Sequence, residues 1–200
     1  MIEGPRSPPP ASQTATVGVT PEDPALTGLL PMGMIVTIRG ERPADELGAG
    51  DIVVVLARAG YSPVQRVLET MVDLGRRPDA APVLIAEGAF DRFSPNRRTV
   101  LAPQCLIGVD DWLVPAAALV NGRSIQRLPA AGYVQYLQFE MGQHDILIAD
   151  GLRIASLRRG MKPCRPLLTD GARLDAIRAR IAGRIPALEV AGMLPDIDFR

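Results

Sequence analysis

Side chains able to do bond chemistry near neutral pH are scarce in this sequence, which has one histidine, His144, and two cysteines, Cys105 and Cys164. His144 stands beside Asp145 in the run QHDILIADG, and an imidazole titrates where a general acid or base must. A cysteine attacks only as thiolate, so either thiol would need a base beside it. The cysteines are far apart and lack CxxC spacing. With a single histidine they cannot assemble an ordinary Cys/His zinc site, so no metal and no cofactor is expected. A disulfide between them has no support in spacing. Each residue also has a plainer role. Free cysteine is among the most buried residue types, and a histidine at a strand start can simply donate a ring nitrogen to a backbone carbonyl.

The elements that must position these groups are mostly strands. Short apolar bursts begin at Pro31: MIVTI (34–38), DIVVVLA (51–57), APVLIAEGAF (81–90), RTVLAP (98–103), DWLVPAAALV (111–120), YVQYLQFEM (133–141) and HDILIAD (144–150). PVQRVLETMVDL (63–74) alternates well enough for one long half-buried strand. Gly and Pro punctuate the series, which predicts a mainly β domain with a single helical turn at PAAALV. Asp51 and Asp145 fall at strand starts, where a carboxylate ties off turn amides. Asp110–Asp111 reads as a solvated turn, and Asn121–Gly122 as a hairpin-type turn whose Asn orients a loop.

The two ends differ from this middle. Residues 1–26 are rich in Pro, Ser and Thr and nearly lack large apolar groups, so they form a mobile arm. Residues 158–200 are an extension in which Leu174, Ile177, Ile181 and Ile185 recur at helical spacing. Thr169 or Asp170 serves as N-cap, which predicts an amphipathic helix over about 170–185. The apolar PALEVAGMLPDIDFR beyond it reads as a strand or a clamp.

Acidic and basic side chains number 22 each and are mixed along the chain. That excludes a phosphate-neutralising nucleic-acid face. Lys162 is the sole lysine. No apolar run approaches a membrane span, and the N-terminus lacks a secretory signal's apolar core. A cytoplasmic protein is expected, or one exported without a standard signal peptide.

Four segments, in order between about Leu29 and Ser156, resemble the Hint domain family, the hedgehog/intein autoprocessing fold, in its bacterial branch. GMIVTIRGERPADELGAGDIVVV matches the opening pattern at Gly33, Gly40–Glu41, Leu47, Gly50–Asp51 and Val53. PVQRVLET, RTVLAPQCLIGVDDWLVPAAALVNGRSIQRL and YVQYLQFEMGQHDILIADGL resemble the segments that follow. The resemblance implies a horseshoe of short, curved antiparallel strands over 27–157. It also implies a reaction: a Cys or Ser attacks the preceding carbonyl, a block histidine protonates the leaving amide, and donors stabilise the oxyanion.

This chain departs from the family at those points. Leu29 stands where the nucleophile belongs, and Thr27 is the nearest hydroxyl. Ala102 and Cys105 replace the small hydroxyl and the activating imidazole, and Gly33 is followed by Met34 rather than Thr. Leucine cannot perform an acyl shift. Two functions follow as expectations. One is a catalytically inactive Hint-fold module, structural or accessory. It would bind a protein partner or larger assembly through its arm and C-terminal tail. The alternative is autoprocessing, or residual acyl transfer or hydrolysis by Cys105 with His144 as base and Asp145 beside it, since the family fold returns the His strand towards the active centre.

Overall fold

The computed structural model describes residues 23–58 and 60–195. Twelve strands and two α-helices are formed among these residues, and every pairing between named strands is antiparallel. The expected bursts become β1 (Met34–Thr37), β3 (Ile52–Val55), β5 (Val83–Ile85), β6 (Thr99–Leu101), β8 (Trp112–Pro115), β10 (Tyr133–Met141) and β11 (Ile146–Ala149). The long alternating run is β4 (Gly60–Asp73), paired along its length with β10, with one bulge where the register steps between Glu140 and Met141. The helical turn at PAAALV is a 3-10 turn over Ala116–Leu119.

Four further strands carry weak apolar signals: β2 (Gly40–Pro43), β7 (Leu106–Val109), β9 (Ile125–Arg127) and β12 (Leu152–Ala155). Turn geometry specifies two of them. Gly40 takes a φ of 98° as the chain doubles back from β1 into β2. Asp150 and Gly151, both at positive φ, make the two-residue turn that pairs β11 with β12. A Cβ on Gly151 would sit 2.9 Å from the Asn96 amide nitrogen, so this turn tolerates no side chain.

The larger sheet runs β10-β4-β3-β1-β11-β12-β7-β8, with β2 on β1, and a smaller one runs β6-β5-β9. Leu29 joins them, bridging to Leu137 in β10 and Leu101 in β6. β11 lies inside the large sheet against β1, β12 and β3, which is why ILIA is apolar without alternation.

The C-terminal extension folds onto this β domain. Leu113 and Leu167 form a parallel bridge that ties it to β8. Helix α1 (Gly171–Ala182) is capped by Asp170, whose Oδ1 accepts from the Ala172 and Arg173 amides. Ile177 and Ile181 are buried in the common core. In the apolar stretch read as a strand or a clamp, no strand forms among the described residues. Ile185–Val190 are a second helix, α2, whose Leu188 is buried, and Ile185 belongs to α2 rather than to α1. Residues 196–200 lie outside the described residues. The break falls at Gly183–Arg184, where the Arg184 Nε reaches the Gly88 carbonyl at 2.6 Å. Through residue 195, the apolar face of the extension covers the chain's own domain. Asp110 is more than a solvated turn residue. Arg180 donates to both of its carboxylate oxygens at 3.1–3.2 Å, and its carbonyl accepts from Arg165.

Candidate functional site

Leu29, Ala102 and Cys105 meet in one part of the core. Residues 23–28, partly assigned to the arm by composition, run inward and are held by hydrogen bonds. The Gln104 amide donates to the Leu26 carbonyl at 2.7 Å and the Ala102 amide to the Gly28 carbonyl at 2.9 Å. Gln138, buried in β10, donates its side-chain amide to the carbonyls of Pro24 and Thr27 at 2.8 and 2.9 Å. The first twenty-two residues of the expected arm lie outside the described residues. Gly28 has a φ of 107°, and a Cβ there would stand 2.5 Å from the Leu137 carbonyl oxygen. The chain therefore passes β10 at a distance only glycine permits.

Leu29 follows at once. Its amide and carbonyl both pair with Leu137, at 3.1 and 2.9 Å, and its side chain is 1% exposed. Leu29 Cδ1 packs where a Cβ on Gly33 would be, at 2.5 Å. Ala102 and Cys105 are buried in the same core. Thr27, Leu29, Cys105, Leu137, Phe139 and Leu157 enclose a cavity of only about 10 Å³, barely one water in capacity. The Gly28–Leu29 peptide is thus an ordinary bridged β peptide inside an apolar plug. Thr27 is the one hydroxyl-bearing residue that lines the cavity, and no imidazole lines it.

His144 lies elsewhere. It lines a different, open cavity of about 520 Å³ with Arg58, Gly142, Gln143, Met161, Lys162, Pro163 and Cys164. Its Nδ1 accepts the Cys164 backbone amide at 2.9 Å, so the neutral ring carries its proton on Nε2. Burial, with Arg158 adding to it, holds His144 down to about 4. The ring is neutral at physiological pH. Nε2 makes no hydrogen bond of good geometry, although the Ser156 carbonyl favours its proton. Asp145 is fully buried and ties off turn amides as its position suggests. It accepts from the amides of Ala57 and Ile146 and from Arg58 Nε at 2.8 Å. Its own amide donates to the Ser156 hydroxyl oxygen at 2.9 Å.

The pairing raised by the sequence, Cys105 with His144, has its two members lining separate cavities. The thiol beside His144 is Cys164, which sequence reasoning did not place there. Its pKa is raised, by burial first and then by Asp145, so it stays a thiol. Gln138, the residue holding the incoming chain, was also missed, because a glutamine inside an apolar strand announces nothing about its partners. Asn121 does orient its loop: Oδ1 accepts from the amides of Arg123, Ser124 and Ile125. Among the described residues no group of His, Cys, Asp or Glu side chains could hold a metal ion, and no helix is long and apolar enough to cross a membrane.

The Hint domain family model matches residues 27–161, and the chain belongs to that family. Among solved structures, an intein-like domain from Clostridium thermocellum is 14% identical, covering 64% of this chain and 96% of that one, with a TM-score of 0.49. The gp41-1 intein is 11% identical over 64% of this chain and 97% of its own, with a TM-score of 0.46. The Msm DnaB1 intein splicing domain, a zinc-bound structure, is 13% identical over 64% and 98%, also at 0.46. No curated protein sequence matches.

Proposed function

We propose that this chain is a Hint-fold protein that does not cleave itself and acts by binding, as a structural, accessory or interaction module. The observation that carries this is Leu29. It occupies the position of the family nucleophile, it is buried, and both its backbone groups are spent on Leu137. Replacing a nucleophile by leucine removes covalent catalysis, and filling the space around it removes room for a water to substitute. Ala102 and Cys105 stand where the hydroxyl and imidazole of the cleaving relatives belong, and a buried thiol is a poor proton donor to a leaving amide. Binding to a larger assembly would use the N-terminal arm and surfaces the C-terminal helices leave free.

The test is the intact mass of the purified chain after prolonged incubation, alone and with hydroxylamine or a small thiol. An unchanged mass under all conditions is expected. Fragments from a cut between Ala25 and Pro31 would overturn the proposal and return the chain to the self-processing class.

A further inference from the structure

The cavity beside His144 does not belong to the plugged centre, and its charge is one-sided. Two cations line it, Arg58 and Lys162, and no carboxylate does. Lys162 is exposed and, among the described residues, makes no ion pair or hydrogen bond. Arg58 donates Nε to Asp145 at 2.8 Å, and its side chain is 45% exposed. Asp145 itself offers the cavity nothing, being fully buried with its oxygens engaged by two amides and Arg58. Glu140, half-buried in β10, is already shared by Arg66 and Arg159. In a chain of zero net charge this corner has a local excess of cations. Burial above all, with Arg158 adding to it and Asp145 opposing it, lowers the basicity of the His144 ring that lines this cavity.

The other large cavity, about 470 Å³ near Phe90 and Phe93, sets the standard of comparison. There Arg153 and Arg180 are balanced by Asp91 and Asp110, so no sign of ligand charge is preferred. The two cavities are similar in volume and differ in electrostatics.

We propose that the cavity formed by Arg58, Gln143, His144, Lys162 and Cys164 binds an oxyanion group, a carboxylate or a phosphate. A guanidinium edge, a free ammonium and the Gln143 side-chain amide are all donors, and two of them carry charge, which is what an oxyanion needs and a cation or apolar group does not. The site binds and does not react. Cys164 stays protonated and the imidazole beside it accepts a backbone amide, so no thiolate–imidazolium pair exists there.

His144 supplies its own reporter, because a single histidine gives one set of ring resonances in the full-length protein. The experiment titrates inorganic phosphate and, separately, acetate at pH 7.5 and constant ionic strength, with chloride as the control. A saturable shift of the His144 ring signals is expected with at least one of the oxyanions and none with chloride. A response to phosphate alone assigns a phosphoryl ligand, and an equal response to acetate assigns a carboxylate. Lys162→Ala, at an exposed residue without partners, leaves the fold intact and weakens binding roughly fivefold to tenfold. Arg98→Ala, which changes an exposed charge outside the cavity, leaves binding unchanged. No saturable shift up to tens of millimolar of either anion, or an equal response in Lys162→Ala, overturns the proposal. Neither result depends on whether the chain cleaves itself, which intact mass reads separately.

Discussion

The Leu29 centre and the His144 corner lie on the same β framework and are built in opposite ways. Around Leu29, leucine, alanine and a buried cysteine fill most of the space, Gln138 spends its side-chain amide on the carbonyls of Pro24 and Thr27, and a remnant of about 10 Å³ is left. Around His144 the polar groups stay, each tied to backbone: Nδ1 to the Cys164 amide, Asp145 to the amides of Ala57 and Ile146. The difference follows from how polar groups are satisfied. A hydroxyl or imidazole without partners in a closed core costs free energy, whereas apolar fill gains it. A carboxylate that terminates two turns cannot be replaced so simply, because the amides it serves would be left unpaired.

The sharpest way to break this contrast is Leu29→Ala. If the centre is a packed plug, the loss in stability is about 3–4 kcal/mol in denaturant unfolding, the same at pH 5 and pH 7. A loss below about 1 kcal/mol would mean that Leu29 is not core.

The His144 corner should instead respond to pH. Its folded pKa, about 4, lies below the 6.5 of a free imidazole, so the unfolded chain takes the proton first. Stability from this group is therefore complete above pH 6.5 and falls as pH drops towards 4, by up to about 3 kcal/mol. His144→Gln, which can still accept the Cys164 amide, should flatten that part of the stability–pH curve. A wild-type curve flat between pH 6.5 and 4 would remove the distinction between the two regions.

Asp145→Asn is expected to cost less, about 1–2 kcal/mol, since the amide oxygen still serves the turn N–H groups and the lost ion pair is with a half-exposed Arg58. Thermal or denaturant unfolding measures it. The smallest perturbation is a mild alkylating reagent on the folded protein. Half-buried Cys164 should be modified slowly and Cys105, 1% exposed, only after unfolding. Rapid labelling of native Cys105 that is lost in His144→Ala would revive the Cys105–His144 enzyme.

Much of this was legible in residue order. The apolar bursts placed seven strands, and the longer alternation gave β4, because burial on one or both faces writes itself into side-chain pattern. Asp170 and the Leu174–Ile177–Ile181 spacing announced α1 and its cap. The strand β2, sequence GERP, was not legible: its partner is held by turn geometry at Gly40, and its own side chains carry no apolar signal. Nor was α2, whose apolar residues are too few for their period to be told from a strand.

Sequence by itself determined the family and the helix, since these depend on which side chains exist and how they are spaced. Only the tertiary structure decided neighbourhoods: that Cys105 shares a cavity with Leu29, that Cys164 and not Cys105 adjoins His144, and that Lys162, without an ion pair among the described residues, lines an open cavity with Arg58. Residues far apart in the chain are brought together by sheet closure and by the return of the extension past β8. Their proximity is a property of the packed whole, and no local pattern records it.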